Sequence, residues 1–519
     1  MSARSGPWTY GKPPDAEVEL RPPLTLPALD PEQAAPKEPG AGAPERVAVL
    51  VCHGMGQQVR FQTLMDMARS LRGAEGVEFV GRIGARAVQV GEKEHRFETH
   101  RVELTLRRPG GPGREVHLYE AYWAPLTEGK VGTRDVLAFL AGAAVNGYRN
   151  ARGGAFRRWM FGRAVTCRVK ATSTRRKLLG ALAIVLSLLV INVVVGIVGL
   201  SLGVGRGRAA WPCDPVLVLL VVELLALILL LLLAWASFRC PRRTPGTPTG
   251  AALAWAGIWT ALVGTVVIAL LMLGEIVWSL CCREPGAGFP CWLTIAVLLL
   301  WSVLVALSTG VRYFLVEYLG DVAAYVSAHT VNKFYEVRGA IQQASCAVAR
   351  AVYTALEEHR AAFEYGRIVV VGHSLGSVVA YDMLNAMIRE DRAAATHFQA
   401  AARTPLLLTF GSPLNKTAFL FRTQMPEGSE LREVLAASVQ PMIQSYEHRP
   451  ARWVNLYAPA DWISGPLEYY DDPEDPDPDH AAKRVRNEID PDATTPLAAH
   501  GEYWGNRLLP NRILEGILS

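Results

Sequence analysis

The chain has 519 residues, of which 19% are charged, whereas ordinary globular domains carry about 25% charged residues. Four apolar runs account for the difference: together they cover 100 residues and contain two charges, Glu223 and Glu275. Outside these runs the charged fraction rises to about 24%, which is normal for a soluble protein. This composition excludes a wholly soluble enzyme, a transporter made only of a helical bundle, and a single small domain. The net charge of +5 is too small to indicate nucleic-acid binding.

Each apolar run is long enough to cross a bilayer core of about 30 Å as a helix, which takes roughly 20 residues. We therefore predict four transmembrane helices, over residues 178–204, 216–238, 251–280 and 292–311. Glu223 and Glu275 lie inside these runs without an intramembrane basic partner. Intramembrane carboxylates are often functional, but we favour a protonated or interfacial structural role for both.

Basic residues between Arg152 and Lys177 precede the first run, and further basic residues follow the second and fourth runs. Because cytoplasmic flanks are enriched in Lys and Arg, this bias predicts both long polar segments on the cytoplasmic side. The protein is then a multi-pass protein of the cytoplasmic membrane with both termini inside. The basic segment is expected to contact anionic headgroups, although a solvated basic helix is the simpler alternative.

The predicted organisation has five parts. Residues 1–44 contain ten prolines and no signal peptide, so we expect a disordered leader. Residues 45–150 and 312–519 form the two halves of an α/β domain, and residues 151–177 and 178–311 are the basic segment and the transmembrane block. Four cysteines lie near the ends of the runs that are predicted to be non-cytoplasmic: Cys213, Cys281, Cys282 and Cys291. We expect them either to form a disulfide or to remain free thiols.

The two polar segments alternate between predicted strands and helices. Short β-branched runs predict strands over residues 47–52, 116–123, 367–371, 406–410 and 453–457. Such alternation is typical of a mainly parallel sheet with helices on both faces. Right-handed crossovers would allow strands from both sides of the transmembrane block to join one sheet.

The sharpest motif is Gly372-His373-Ser374-Leu375-Gly376, placed directly after a predicted strand and before a predicted helix. A serine at such a turn has an exposed hydroxyl, and both glycines avoid steric collision. The helix that follows points its first N–H groups at the serine, which favours developing negative charge. The alternative is a glycine-rich turn with an idle serine.

With this motif, residues 45–125 and about 315–510 resemble the α/β-hydrolase superfamily, in particular its lipase-like serine hydrolases. In that family a His-Gly turn after an early strand supplies an oxyanion-hole N–H, and His53-Gly54-Met55-Gly56 occupies this position. The resemblance implies that Met55 or Gly56 donates one N–H and Leu375 the other. A tight turn with a locally packed His53 is the simpler interpretation.

The acid and the base of a triad are expected after the serine. Asp461 follows the strand at 453–457 and is our candidate acid, in preference to Asp382 and to the acidic loop 471–479, which we expect to be solvated. His500 is our candidate base, because its sequence HGEYW resembles the family's final loop. The competing His480 ends the acidic loop and is expected to be solvated. Ser374 would attack, His500 would carry the proton, and Asp461 would orient the imidazole.

The stretch from Gly320-Asp321-Val322 through GHSLGSVVAYDML is also similar to intracellular phospholipase A1 proteins, which lack comparable spanning helices. We therefore expect a membrane-integral serine hydrolase that cleaves acyl esters, with lipids as its substrates. An acyltransferase or thioesterase with the same triad, and a catalytically idle scaffold of a membrane complex, are the alternatives. No metal site, Walker loop or dinucleotide motif occurs in the sequence, so no cofactor is implied.

Overall fold

In a computed structural model the chain divides into two compact units: residues 1–130, 158–164 and 324–519 form the first, and residues 131–157 and 165–323 form the second. The structure describes residues 18–29, 46–130, 332–417 and 448–518, apart from short gaps within these ranges, together with Asp135 and Tyr325. The basic segment, the four predicted spans with Glu223 and Glu275, and the four outer cysteines therefore lie outside the described residues. Among the helices that are described, none has both the length and the apolar character that a bilayer crossing requires.

The first unit is built on one ten-stranded, mixed and mostly parallel sheet. Its strands are β1 Val18–Leu20, β2 Leu24–Leu26, β3 Arg46–Cys52, β4 Glu78–Val90, β5 Phe97–Arg107, β6 Gly113–Ala121, β7 Arg367–His373, β8 Leu407–Phe410, β9 Trp453–Tyr457 and β10 Val485–Ile489. The order across the sheet is β1-β4-β5-β6-β3-β7-β8-β9-β10, with β2 also paired to β4.

The centre of the sheet joins the two polar segments of the chain. Strand β3 pairs in parallel with β6 on one side and with β7 on the other, and β7 continues in parallel to β8, β9 and β10. Strand β5 is antiparallel to both β4 and β6. The prediction that strands from both sides of residues 178–311 share a mainly parallel sheet is therefore confirmed.

The described helices are α1 Gln62–Arg72, α2 Asn332–Thr354, α3 Leu375–Ala393, α4 Ala499–Glu502 and α5 Leu508–Leu518. Helices α1 and α5 pack with Val47, Val49 and Val51 in one hydrophobic core. Because side chains alternate along a strand, the intervening residues of β3 face the other side, where α2 and α3 contact the sheet. Both faces are covered, which explains why β3 reads as an unbroken apolar run.

Half of the strands were not predicted. Residues 18–26, assigned to a disordered leader, contribute β1 and β2, which pair with β4. They are held there partly by Arg21, whose guanidinium contacts Glu103 on β5 at 2.7 Å. Strands β4 and β5 form a long hairpin, and their charged residues obscure the alternation of apolar and polar side chains that predicts a strand. Strand β10, with the sequence VRNEI, is a polar strand at the edge of the sheet.

Candidate functional site

The predicted site residues lie along one edge of the sheet. In the parallel strands Cys52 is aligned with Gly372, His373 with Phe410, and Phe410 with Leu456. The carboxyl ends of β3, β7, β8 and β9 therefore reach the same edge, and the turns that follow them are neighbours. This edge is where ligands bind in open parallel sheets.

Ser374 occupies a sharp turn between β7 and α3. Its φ of 53° lies in the left-handed region, which is uncommon for a residue with a side chain and costs free energy unless its surroundings hold it. The Ser374 N–H donates to the carbonyl of Phe410 at 3.0 Å, and the Ser377 N–H donates to the carbonyl of Ser374 at 3.0 Å. These bonds hold the conformation of the turn. The expectation of an exposed serine was wrong: Ser374 is buried, because His500 and the turn at Gly54 lie against it.

The two glycines of the motif are required by close approach. A Cβ on Gly376 would lie 2.1 Å from the His53 carbonyl oxygen, and a Cβ on Gly372 would lie 2.5 Å from Ser377 Cα. Both are closer than real Cβ contacts, and the clashing atoms belong to the backbone. The steric requirement expected from the sequence is therefore present at both positions.

Ser374, His500 and Asp461 form a continuous hydrogen-bonded chain. Ser374 Oγ lies 2.7 Å from His500 Nε2, and His500 Nδ1 lies 3.0 Å from Asp461 Oδ2. Since a carboxylate accepts, His500 Nδ1 carries the proton and Nε2 is left to accept from the serine hydroxyl. The structure thus brings together all three residues chosen from the sequence, each from a different element.

Asp461 is held ionised by its hydrogen bonds. Burial alone would raise the pKa of its carboxyl group, but the bonds from His500 and from the Ile463 N–H outweigh burial and hold the pKa well below its usual range. The Ile463 N–H donates to Oδ1 at 2.9 Å, and the hydroxyl of Tyr503 donates to Oδ2 at 2.9 Å. Asp461 is therefore an anion whose carboxylate contacts the ring of His500.

The loop that carries Asp461 is fixed by side chains that the sequence analysis did not select. Lys416 Nζ donates to the carbonyls of Ile463 and Ser464, the latter at 3.1 Å. Asn455 Nδ2 donates to the carbonyl of Gly465 at 3.1 Å. Burial lowers the pKa of Lys416 to about 8. Lys416 follows β8 in the sequence, and no pattern at this position indicates a contact with the loop that carries Asp461.

The predicted oxyanion turn lies against the serine. A Cβ on Gly54 would be 3.0 Å from Ser374 Cβ, so the backbone of the turn directly adjoins the nucleophile. Met55 is buried in the turn, whereas Gly56 is outside the described residues. Leu375 is the first residue of α3, and the first N–H groups of a helix have no intrahelical acceptor. Its N–H therefore has no acceptor within α3 and stays the candidate for the second donor.

His53 packs locally, as the simpler interpretation had it. Its Nδ1 donates to the Gly54 carbonyl at 2.8 Å and its Nε2 accepts from the Trp123 N–H at 3.0 Å. The ring stacks on Trp123 with centroids 4.7 Å apart. Burial lowers the pKa of His53 to about 4, so the residue is a neutral link between the turn and the end of β6.

The competing residues have other partners. Asp382 Oδ2 accepts a hydrogen bond from Tyr325 at 2.6 Å and one from Arg338 at 3.0 Å. Because Arg338 lies on α2, Asp382 connects α3 to α2. His480 is 45% exposed and contacts Asp475 at 2.6 Å, as expected for a solvated residue. In the acidic loop, however, Asp471 and Asp472 are buried, and Asp471 Oδ1 accepts the N–H of Val485. The expectation of a wholly solvated loop was wrong, because this end of the loop closes onto β10.

One group in the described part of the chain has the composition of a metal site. The potential ligand atoms of Glu103, Glu115 and His117 lie within 4.8 Å of one another. The carboxylate of Glu103, however, already contacts three guanidinium groups, those of Arg21, Arg86 and Arg101, at 2.6–2.8 Å. A divalent cation would be placed among three positive charges, so this group does not fit a metal.

No protein-family model matches the chain, and comparison with curated proteins and with solved structures gives no match either. The geometry at the sheet edge is therefore the basis on which a function is assigned.

Proposed function

We propose that this protein is a membrane-integral serine hydrolase that cleaves acyl esters, and that its substrates are lipids. The observation that carries the proposal is the chain of hydrogen bonds from Ser374 Oγ through His500 to Asp461, with distances of 2.7 and 3.0 Å. A nucleophile, a base oriented by a carboxylate, and backbone donors beside the nucleophile are the parts that acyl transfer requires.

In the proposed reaction Ser374 Oγ attacks the ester carbonyl carbon while His500 Nε2 accepts the hydroxyl proton. The carbonyl oxygen becomes an oxyanion, and the N–H of Leu375 together with the N–H of Met55 or Gly56 stabilises it. Collapse of this intermediate breaks the ester C–O bond, and His500 returns the proton to the departing alkoxide. Water then attacks the acyl carbon while His500 accepts a proton from it. The bond between the acyl carbon and Ser374 Oγ breaks, His500 returns the proton to Oγ, and the carboxylic acid is released.

The electrostatics of the site fit this cycle. His500 becomes an imidazolium in each half-reaction, and the anionic Asp461 beside Nδ1 stabilises that cation. Asp461 itself is kept from accepting the proton by its bonds from Ile463 and Tyr503. Because these donors are already in place, little reorganisation is needed when the charge appears.

The arrangement of elements also supports the proposal. The nucleophile follows β7, the acid follows β9 and the base lies near the end of the described chain, which is the chain order Ser, Asp, His of α/β-hydrolases. The parallel core of the sheet places all three at the carboxyl edge. The assignment to that superfamily nevertheless rests on this resemblance and is part of the proposal.

The lipid preference rests on the sequence of the middle segment and on where the chain leaves the sheet. Strand β6 ends at Ala121, and a 3-10 helix at Ala124–Leu126 follows at the same edge as the Ser374 turn. The four apolar runs come later in the chain and would anchor it in the bilayer. An ester with long acyl chains is the substrate that such an anchored enzyme would meet.

The test compares Ser374→Ala with Ser345→Ala, a matched change of a buried serine on α2. The detergent-solubilised protein is assayed with a short p-nitrophenyl ester and with phosphatidylcholine, and is labelled with a fluorophosphonate. We expect Ser374→Ala to abolish turnover and labelling and Ser345→Ala to retain both. Wild-type turnover that survives Ser374→Ala would overturn the assignment.

Two further measurements separate the alternatives. Adding a primary alcohol to the assay diverts the acyl group in an acyltransferase but leaves the acid as the main product of a hydrolase. A wild-type protein that neither labels nor cleaves any ester, although folded, would favour the scaffold.

A further inference from the structure

His373, the residue between Gly372 and Ser374, contacts the base loop as well as the serine turn. Its Nε2 lies 3.0 Å from the backbone carbonyl oxygen of His500. A carbonyl only accepts, so His373 Nε2 carries the proton and donates it. The side chain of one neighbour of the nucleophile therefore holds the main chain of the base.

Ser374 and His373 hold His500 at two points, its ring and its backbone carbonyl. Ser374 bonds to the ring at Nε2 and His373 bonds to the backbone carbonyl. Since residues 373 and 374 are covalently joined, the position of the base relative to the nucleophile is fixed by a short closed ring of bonds.

The imidazole of His373 is also packed among the parts of the site. Its ring stacks on Phe410 with centroids 4.7 Å apart, meets Trp504 edge-on at 5.4 Å, and lies 5.1 Å from the ring of His500. A Cβ on Gly54 would be 3.0 Å from His373 Nδ1. His373 thus lies between the serine turn, the base loop and the proposed oxyanion turn.

The charge state of His373 suits this position. Burial, followed by the neighbouring His500, lowers the pKa of His373 to about 3. The residue therefore stays a neutral donor over the pH range in which an esterase is assayed. It adds no second positive charge beside His500 when that residue takes the serine proton.

We propose that His373 is a positioning residue, which sets the distance and orientation of His500 relative to Ser374 through its bond to the His500 carbonyl. This inference rests on the proposed function, since it assigns His500 as the base. It predicts that the loss of the donor lowers kcat while substrate binding, and hence KM, stays nearly unchanged.

The experiment compares His373→Gln with His373→Met. Glutamine carries an N–H donor at a reach similar to Nε2, whereas methionine fills a similar volume without a donor. We expect His373→Met to lower kcat about 10- to 100-fold, because small misplacements of a catalytic group have effects of that size. We expect His373→Gln to recover most of the loss. Circular dichroism and thermal unfolding establish that both variants are folded.

A packing control distinguishes the hydrogen bond from the ring contacts. Trp504→Leu removes the edge-on contact with His373 and leaves the His373 donor in place. The inference predicts a smaller loss of kcat for Trp504→Leu than for His373→Met. Equal losses in Trp504→Leu, His373→Met and His373→Gln would overturn it in favour of packing, and so would unchanged kcat in a folded His373→Met.

Ser374→Ala is measured in parallel, so that the two proposals fail in different ways. Turnover that persists without Ser374 contradicts the proposed function. Turnover that requires Ser374 but is indifferent to His373→Met contradicts only the positioning role.

Discussion

Two histidine–carboxylate pairs among the described residues have the same spacing, and in each pair one side chain is buried while its partner is partly exposed. His500 Nδ1 lies 3.0 Å from Asp461 at the carboxyl edge of the sheet, and His117 Nε2 lies 3.0 Å from Glu115 on β6. The two pairs differ in the partner of the second ring nitrogen. In His500 it faces the hydroxyl of Ser374, whereas in His117 it faces the hydroxyl of Tyr365 at 2.9 Å.

His117 lies in different surroundings from His500. It is fully buried beside a charge cluster, which we define as Arg101, Glu103, Tyr119 and Tyr365. Burial and the charge of Arg101 lower the pKa of His117 to about 4. A strongly shifted pKa therefore marks a structural residue here, although such shifts are often taken to indicate function. A nucleophile within reach of the base is the more informative feature.

The charge cluster connects the β4–β5 hairpin to the centre of the sheet. Arg101 on β5 bonds to Tyr365, in the turn before β7, at 2.9 Å, and Tyr119 on β6 bonds to Tyr365 at 2.6 Å. All four members of the charge cluster are buried, and the cluster stabilises the fold. Ser374 and His500 lie at the carboxyl edge of the sheet, where they contact each other at 2.7 Å.

The largest effect is expected from exchanging each histidine for glutamine. In His500→Gln the base is lost, and we expect kcat to fall about 10⁴- to 10⁶-fold with little change in the unfolding midpoint. In His117→Gln we expect the reverse: kcat per folded molecule is unchanged, and the free energy of unfolding falls by about 1–3 kcal/mol because a buried partner is lost. Ester kinetics and denaturant titration measure the two quantities. Equal losses of activity in both variants would remove the distinction between the two regions.

A smaller effect, on stability alone, is expected from Glu103→Gln. The change leaves the buried guanidinium of Arg101, which is 3% exposed, without its closest anion. We expect the free energy of unfolding to fall by about 3–5 kcal/mol. The matched control is Glu78→Gln, whose pair with Arg107 is about half exposed and is expected to contribute about 0–1 kcal/mol. Urea denaturation of the solubilised protein measures the free energy of unfolding of both variants. Comparable losses of this free energy in Glu103→Gln and Glu78→Gln would contradict a special role for burial.

A third, still smaller effect concerns Tyr503→Phe, which removes one donor to Asp461. We expect kcat to fall about tenfold, since a hydrogen bond to a charged group contributes about 1.5–3 kcal/mol. The lowered pKa of Asp461 stabilises the folded protein above the unfolded value of about 3.9, and this contribution is lost as the pH falls below it. Without the Tyr503 donor the pKa of Asp461 rises, so this stabilisation should be lost at a higher pH in Tyr503→Phe than in wild type.

Acid-unfolding titrations of wild type and Tyr503→Phe check this expectation. Unfolding at the same pH in both proteins would mean that the Tyr503 hydroxyl does not contribute to keeping Asp461 ionised.

The smallest effect is expected at a third histidine–carboxylate contact, His480 with Asp475. It has a short distance of 2.6 Å, but His480 is 45% exposed. We expect His480→Ala to change neither kcat nor the unfolding midpoint measurably, because solvent screens such contacts. A clear loss of activity in His480→Ala would reopen the choice between His480 and His500 as the base.

Part of this arrangement is visible in the sequence for physical reasons. Strands β3, β7 and β9 were predicted because strands covered on both faces read as short apolar runs. Ser374 was found because a turn of this geometry requires Gly372 and Gly376. Asp461 was chosen because it follows a predicted strand after the serine, and His500 because its sequence resembles the final loop of the α/β-hydrolases.

Other parts depend on contacts that leave no sequence pattern. The β4–β5 hairpin was missed because Arg101 and Glu103, buried against each other, look like surface residues in the sequence. Strands β1 and β2 were missed because their Pro-rich surroundings read as disorder, and they exist only through pairing with β4. His373 and Tyr503 gained roles only once the loops were brought together.

The pairing of β3 with β6 and β7 has a consequence for biosynthesis. About 250 residues separate the end of β6 from the start of β7, and a ribosome adding about 5–20 residues per second needs roughly 12–50 s to make them. Throughout that interval β3, an apolar central strand, has an open edge of the kind that pairs with other chains. This edge therefore has to be shielded, for example by a chaperone, until β7 is released and pairs with β3.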